Sequence, residues 1–478
     1  MSSLKKNTFF NFLLTFSTIL FPLISMPYIS KVLNIFDIGL INKGTAFCTL
    51  FTNLFSFGIA GYASRQVARV REDKKELNCV FSSVLLTHII LTVIGLGIYL
   101  GYSIHFVSDD SSKKIFLLFS VLFAVQPFAI EWLYSGLEEF KYISIRSIFV
   151  KLLMFASLFV FVRKETDFLI YGILYIGAQS LNAFFNIFHS RKFVRLTLKN
   201  FRFKYLLWNS KFFYLQTILA VCYQNINQLI LGTNTEQLAF FVRGTTLVGL
   251  VGSFVGPVIN AVKPRLENII TNDRDSYKHY IDITFELVSI VIWPLGFGIA
   301  ALSENIMFLF GGEAFKTGFK VLMVLAVGSI FTQYSVFFNT IISTPAGFEK
   351  NTFWGNLVVA ISALCLNPFF IYKFGAIGAA VVLAFSEFLG MCIQFIIIKI
   401  EHLYLDFFYI KKFKYMISAF LMFVIIRILK QFFNLNIFIE LAVYFFVGAV
   451  SYIFILAFAS AILKDELHFE YLKHLFRR

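Results

Sequence analysis

Three basic residues of this sequence, Lys43, Lys151 and Arg243, lie inside long stretches of apolar residues. A lipid-exposed cation at the centre of a membrane helix costs about 2.5–3.5 kcal/mol on insertion scales. Cations in such places usually face a wet cavity, where their chemistry is the binding of an anion. Lys43 and Arg243 lie near one end of their stretches, so their long side chains could instead extend to the headgroups. Lys151 is nearer the middle of its stretch, which favours the cavity.

Two carboxylates also lie inside apolar stretches, Glu131 towards the end of one and Glu387 near the middle of another. A carboxylate within a membrane is a candidate site for H⁺ or Na⁺ coupling. The alternative for Glu387 is an internal ion pair with Lys or Arg. A further polar group consists of amides that would bind sugar hydroxyls or form hydrogen bonds between helices: Gln224, Asn225, Asn227 and Gln228.

Motifs that would carry catalysis or bind metal do not occur in the sequence. It contains no GxxxxGK[ST] nucleotide-binding loop, no HExxH pair and no Ser/His/Asp arrangement. Its five cysteines are scattered, without a CxxC pair or a neighbouring histidine cluster. We therefore predict no catalytic residue, no metal site and no cofactor, apart from H⁺ or Na⁺ coupling.

The apolar stretches that position these residues are long enough to cross a membrane. Hydrophobic residues make up 58% of the chain and charged residues 14%, and the mean hydropathy is +0.78. A soluble domain has about a quarter charged residues, so most of this surface must face lipid. Barrel strands would be half as long and would alternate in polarity. Helices of about 20 residues divide the chain into fourteen predicted segments: 9–30, 38–63, 78–102, 115–136, 142–162, 168–189, 208–232, 238–262, 280–302, 318–344, 352–372, 375–398, 413–430 and 436–463.

The basic residues between these segments predict their orientation. If the N-terminus is cytoplasmic, the cytoplasmic stretches hold about three times as many Lys and Arg residues as the opposite loops. We therefore predict an all-α polytopic membrane protein with about fourteen transmembrane helices and both termini in the cytoplasm. This orientation explains the net charge of +15 better than nucleic-acid binding does.

The second and eighth segments match each other at an offset of 200 residues. Lys43-Gly44-Thr45 aligns with Arg243-Gly244-Thr245, and Arg65 aligns with Arg265. Apolar segments resemble each other by chance, but these matches include charged residues, which are rare here. Six helices separate the pair, which predicts a parallel repeat of two pseudo-symmetric six-helix lobes with substrate between them. The predicted parts of the chain are 1–200 (N-lobe), 201–400 (C-lobe) and 401–478 (two further helices and a cytoplasmic tail).

Four stretches of the sequence resemble a known family. PLISMPYISKVLNIFDIG (22–39) resembles the opening signature of Wzx-type polysaccharide flippases, which belong to the MOP exporter superfamily. GYASRQVARVRED (61–73) and GLEEFKYISIRSIFVK (136–151) are similar to the stretches after their second and fourth helices, and IYKFGAIGAA (371–380) to their turn into the twelfth. The resemblance extends from about residue 5 to residue 400. Lys31 and Asn34 depart from it, since many members have Arg and Gly there.

The resemblance implies two six-helix lobes around a central cavity, with the last two helices outside them. It implies an undecaprenyl-diphosphate-linked oligosaccharide, of O-antigen or a related surface polysaccharide, as the substrate. This molecule would move from the cytoplasmic to the outer leaflet of the bacterial inner membrane by alternating access. The implied partners are this lipid-linked oligosaccharide, membrane lipid, and the polymerase and chain-length machinery of the same pathway.

The implied substrate carries a diphosphate, and a buried diphosphate is costly unless it is paired. Asn227 and Gln228 stand where the family often has a charged pair, which weakens any ion-coupling role for that site. The cations that would bind the diphosphate lie on corresponding helices of both lobes: Lys43, Arg243, Arg65, Arg265 and Lys151.

Two alternative functions stay open on the sequence. An ion-coupled drug or metabolite exporter of the same superfamily would use Glu387 or Glu131 for coupling, although a cavity of Lys and Arg disfavours cationic drugs. The second alternative is a membrane polysaccharide polymerase or ligase. Such enzymes commonly need an extended outer loop, and the predicted loops of this chain are short.

Overall fold

The fold of the chain is helical throughout the part that can be described. A computed structural model describes residues 2–197, 201–269, 274–401, 410–433 and 436–463, and these ranges contain no strand. The helices before residue 235 are α1 (Ser2–Val32), α2 (Ile35–Ser56), α3 (Ile59–Val70), α4 (Lys74–His105), α5 (Asp110–Val125), α6 (Glu131–Gly136), α7 (Phe140–Phe161), α8 (Phe168–Ser190) and α9 (Phe203–Leu231). Those that follow are α10 (Thr235–Ile269), α11 (Arg274–Ala301), α12 (Ser303–Gly311), α13 (Glu313–Lys316), α14 (Phe319–Phe337), α15 (Glu349–Ile400), α16 (Lys414–Phe432) and α17 (Ile437–Ile462).

The described residues contain eleven stretches that are long and apolar enough to cross a membrane, or twelve if the bent pair α2 and α3 forms one span. The predicted all-helical membrane fold is therefore confirmed. Helix α15 contains two of the predicted segments, 352–372 and 375–398, joined at Gly375 with a left-handed φ of 59°. Helix α9, over the predicted segment 208–232, is not among the eleven. The number fourteen and the cytoplasmic position of the termini stay predictions.

Two of the predicted segments are interrupted rather than straight. The segment 38–63 bends by 50° between α2 and α3, because Phe57 and Gly58 both adopt left-handed backbone angles, with φ of 51° and 62°. The segment 115–136 leaves α5 through a 3-10 turn, Gln126–Ala129, before α6 begins. Pro127 in this turn has no backbone N–H to continue the α-helix. Polar side chains next to these interruptions are therefore held in directions that a straight helix would not give them.

The chain divides into two compact units, residues 1–239 and 240–478. In the first unit α2 packs on α4, α5 and α9, and α7 packs between α1 and α8. Gly44 allows α2 to approach α5 closely, since a Cβ atom there would lie 2.4 Å from the Ile115 side chain. The lobe boundaries predicted at residues 200 and 400 stay predictions.

The second unit places α11 against α14 and α16, and α14 against α15. Gly244 faces α14, where an added Cβ would lie 2.8 Å from Leu325. Each of the two glycines that the 200-residue offset aligns therefore brings its helix close to a neighbour in its own unit. The repeat itself stays a prediction.

An ion pair attaches α16 to α11 in the second unit. Lys412, one turn before α16, places its Nζ 2.7 Å from Glu286 Oε1 and 3.5 Å from Asp282 Oδ1. The Lys412 and Glu286 side chains are only 13% and 8% exposed. Removing one partner of such a pair leaves an uncompensated buried charge, which is strongly destabilising.

We predict that Lys412→Met lowers the free energy of unfolding by about 3–5 kcal/mol, because the buried Glu286 carboxylate loses this short ion pair. The matched control is Lys316→Met, whose pair with Glu304 is exposed and 3.6 Å long, and which should cost no more than about 1 kcal/mol. Thermal unfolding of the purified variants in detergent measures both. Equal Tm values for the two variants would contradict this role of Lys412.

Candidate functional site

A cluster of polar side chains lies within the membrane-spanning helices of the first unit. Helix α7 contributes Arg146 and Lys151, which are five residues apart and so point about 140° apart around the helix axis. Arg146 therefore meets α6 and α8, while Lys151 meets α1. The partners are Glu131 at the start of α6, Asn186 on α8, and Ser17 and Thr18 on α1.

Arg146 is the best-anchored member of this cluster. Its side chain is 4% exposed, and its Nη2 lies 2.8 Å from Glu131 Oε1. Its Nη1 donates to Asn186 Oδ1, and the Asn186 amide donates in turn to the Ala129 carbonyl. Ile130 has a left-handed φ of 36°, which ends the turn and sets Glu131 at the start of α6. The Glu131 side chain stays 60% exposed, so the carboxylate is available to a ligand or an ion.

The hydrogen bonds of Lys151 go to neutral groups, and the Glu131 carboxylate attracts it from a longer distance. Its Nζ donates to Ser17 Oγ at 3.1 Å and to Thr18 Oγ1 at 2.8 Å. It has no carboxylate within ion-pair distance in the described part of the chain. Lys151 lies near the middle of α7, roughly 15 Å from each end, too deep for its side chain to extend easily to the headgroups. With Arg146 and Glu131, it gives the cluster one more cation than carboxylates.

Lys43 takes part in a separate arrangement at the start of α5. Its Nζ donates to Ser112 Oγ at 2.7 Å and lies 5.9 Å from the centre of the Phe116 ring. Asp109 caps the same helix by accepting from the Ser112 backbone N–H at 2.8 Å. Hydrogen bonds from the hydroxyl and the N–H of Ser112 hold the pKa of the Asp109 carboxyl below its usual range. Ser112 thus connects the lysine to a carboxylate.

Arg243 corresponds to Lys43 in the second unit and is buried. Its guanidinium donates to the Phe310 carbonyl at the end of α12 and lies 4.4 Å from the centre of the Phe315 ring. A cation at the last carbonyls of a helix is favourable, since these carbonyls have no partner within the helix. In each unit, the aligned cation therefore lies over a phenylalanine ring at a joint between helices. Its role towards a ligand stays a prediction.

The remaining predicted residues are not brought into the cluster. Arg65 is exposed on α3, and the Arg265 side chain lies outside the described residues. Glu387 on α15 is within hydrogen-bonding reach of Thr332 on α14, and it has no ion pair in the described ranges. The predicted internal pair with Lys or Arg is therefore not found there.

The amides predicted on α9 differ in their burial. Asn225 and Asn227 are buried, and the Asn225 Nδ2 and both polar side-chain atoms of Asn227 have no partner among the described residues. Gln228 is half-buried, while the Gln224 side chain lies outside the described part of the chain. Their role as sugar contacts stays a prediction.

The structure brings together Lys151 and Glu131, which the sequence suggested separately, and it adds residues that the sequence did not indicate. Arg146 lies so near the start of the predicted segment 142–162 that the sequence alone does not distinguish it from a loop cation. Asn186 is an amide in an apolar helix, so no sequence pattern marks it as a site residue. The available signal was the pair Arg146 and Lys151, two cations within one predicted transmembrane segment.

Comparison with known proteins identifies a family, a similar relative and similar solved structures. Residues 4–270 match the family described as polysaccharide biosynthesis protein. The "Putative O-antigen transporter" of Shigella dysenteriae is 22% identical over 395 residues, which cover 81% of this chain and 98% of that protein.

Solved structures show the same fold at low identity. The lipid II flippase MurJ in an inward closed conformation gives a TM-score of 0.78 at 15% identity, covering 96% of this chain and all of that one. An inward-facing multidrug resistance MATE family transporter of the MOP superfamily gives 0.62 at 13% identity, covering 80% and 98%. These likenesses confirm the expected MOP-type architecture.

The hydrogen bonds of Asn186 lead to a test of the cluster. We predict that Asn186→Leu lowers the free energy of unfolding by about 1–3 kcal/mol, because Arg146 loses an acceptor and the Ala129 carbonyl loses a donor. Asn182→Leu, one turn earlier on α8, is the matched control, since its Oδ1 has no partner among the described residues. Tm values in detergent report the difference, and an equal loss in both variants would exclude a special role for Asn186.

Proposed function

This chain belongs to the polysaccharide biosynthesis protein family, and on that premise we propose that it is a flippase for a polyprenyl-diphosphate-linked oligosaccharide. The family match confirms the resemblance that the sequence motifs indicated, and the chain is a multi-pass protein of the bacterial inner membrane. The proposed substrate is an undecaprenyl-diphosphate-linked repeat unit of O-antigen or a related surface polysaccharide. It moves from the cytoplasmic leaflet to the outer leaflet.

The observation that carries the proposal is the environment of Lys151. An ammonium group near the middle of a membrane helix is hydrogen-bonded to two hydroxyls, neither of which compensates its charge. The hydroxyl oxygens are neutral acceptors, whereas a phosphate oxygen is charged and would accept more strongly from the Lys151 ammonium. Arg146 beside it has part of its charge compensated by Glu131. The cluster is therefore an anion site of the kind that a diphosphate requires.

The path of the substrate follows the positions of the cations. Arg65, exposed on α3, first meets the diphosphate at the cytoplasmic side, together with Arg265. The diphosphate then binds at Lys151, with Lys43 and Arg243 as further cations. Opening of the protein to the two sides in turn completes the transfer, while the polyprenyl chain stays in lipid. The amides of α9 would contact the sugars.

A second candidate function rests on Glu387. This carboxylate lies within a membrane-spanning helix without an ion pair in the described ranges, as an H⁺ or Na⁺ coupling site would require. An ion-coupled drug or metabolite exporter is the alternative that this residue favours. A drug-susceptibility panel on a deletion strain separates the two functions, since only an exporter changes the susceptibility of the strain to several drugs.

The test of the flippase proposal uses Lys151→Met in cells that depend on this chain for surface polysaccharide. We expect display of the polysaccharide to fall on the order of ten-fold or more, because one charge-assisted contact to the diphosphate is lost. Lys151→Arg, which keeps the charge, should retain part of the display. Lys31→Met, at an exposed lysine in the last turn of α1, is the control, and all proteins are compared at equal levels in the membrane.

The site of the block distinguishes a flippase from an enzyme. Lipid-linked repeat units that accumulate on the cytoplasmic face of Lys151→Met cells support the flippase, whereas accumulation on the outer face indicates a polymerase. Normal display in Lys151→Met cells and in Arg146→Met/Lys151→Met cells would show that the cluster does not bind the substrate.

A further inference from the structure

A cleft of about 750 Å³ lies between the first turns of α7 and the last turn of α8. Neither Lys151 nor Glu131 lines it, but Arg146, the partner of Glu131, does, so the cleft adjoins the cluster on which the proposed function rests and differs from it in its two exposed lysines. Both helix ends are predicted to be cytoplasmic. The volume is within the range of about 300–1,000 Å³ that is usual for ligand pockets.

The charges of the cleft are mostly positive. Lys141 and Lys192 are exposed at its rim and Arg146 is buried in its wall, whereas Glu139 is the one carboxylate among its lining residues in the described chain. The Arg146 Nε and the His189 Nδ1 are buried and have no hydrogen-bond partner among the described residues. A buried donor without a partner is costly. Apart from Glu139, the charged groups of the cleft are donors, whose acceptors a bound anion would supply.

The lining changes from charged to aromatic with depth. From Lys141 to Phe149 the helix rises about 12 Å, and Phe185 on α8 faces the same deep part of the cleft. Tyr142 stacks on His189 with 3.7 Å between ring centres and closes the wall between the two helices. Phe149 is 55% exposed and Phe188, beside the cleft on α8, is 63% exposed. Aromatic side chains as exposed as these two are stable next to the hydrocarbon chains of lipid rather than next to water.

We propose that this cleft binds an anionic glycerophospholipid of the cytoplasmic leaflet. Its phosphate lies between the exposed Lys141 and Lys192, above the buried Arg146 side chain, and its acyl chains lie along Phe149 and the neighbouring exposed apolar side chains. Basic pockets between transmembrane helices on the cytoplasmic side are suited to such headgroups. A phosphate without acyl chains would leave Phe149 and Phe185, in the deep part of the cleft, uncovered. We therefore assign the cleft to a lipid.

Lipid binding to the purified full chain tests this proposal. Phosphatidylglycerol is titrated into the protein in detergent, with phosphatidylcholine as the neutral lipid and pyrophosphate as the phosphate without acyl chains, and bound lipid is counted by native mass spectrometry. Lys141→Gln/Lys192→Gln should weaken phosphatidylglycerol binding about ten- to thirty-fold. Each of the two lysines contributes a similar share of the attraction for anionic lipid, and the variant removes both shares. Lys74→Gln/Lys75→Gln is the matched control, because it removes two exposed lysines from the same predicted side of the membrane.

The expected result is specific in two ways. Phosphatidylglycerol binds more tightly than phosphatidylcholine, and only the Lys141→Gln/Lys192→Gln variant loses this preference. Equal weakening in both double variants would overturn the proposal, because the effect would then be general to surface charge. Competition by pyrophosphate as effective as that by phosphatidylglycerol would also overturn it, since the acyl chains would contribute nothing. Polysaccharide display is not needed for either outcome, so the test is independent of the transported molecule.

Discussion

The constraint on which this structure depends is that a charge inside the membrane has to be compensated by the protein itself. Glu286 is compensated by Lys412, Arg146 by Glu131, and Arg243 by a helix-end carbonyl and an aromatic ring. Each of these contacts also joins two parts of the fold, so the groups that compensate the charges also hold the helices together. Lys151 differs because its two hydroxyl partners carry neither a charge nor a helix-end dipole. This difference is what supports the proposal that Lys151 binds a charged ligand.

Much of the fold was predictable because it follows from average properties of long stretches. Apolar length predicts helices that cross a bilayer, and the described residues are helical. The interruptions were not predictable, since they depend on single backbone angles: nothing in the residue type of Phe57 requires a left-handed φ. After the bend at Phe57 and Gly58, α3 packs on α4, α6 and α9, and these tertiary contacts are not contained in a local pattern.

The candidate site shows the same division between residues and their partners. Lys151 and Glu131 were visible in the sequence as rare charges in apolar surroundings. The partners of these residues were not visible, because they come from α1, α6, α7 and α8. Asn186 and Ser17 become partners of the α7 cations only when these helices pack together. The sequence predicted Arg243 as a cation facing a cavity, and the structure adds its contacts with the Phe310 carbonyl and the Phe315 ring, which a local pattern does not contain.

The close approach at Gly44 has a consequence for how this chain can change over evolutionary time. A side chain at this position would meet Ile115 at 2.4 Å and the Phe119 ring at 2.8 Å, and both belong to α5. An alanine at position 44 would therefore require both of these side chains to move or to become smaller. At Gly244 the near atom is the end of the flexible Leu325 side chain, 2.8 Å away, which can turn aside more easily. The helix contact at Gly44 thus restricts the sequence of its unit more tightly than the aligned contact at Gly244 restricts the other.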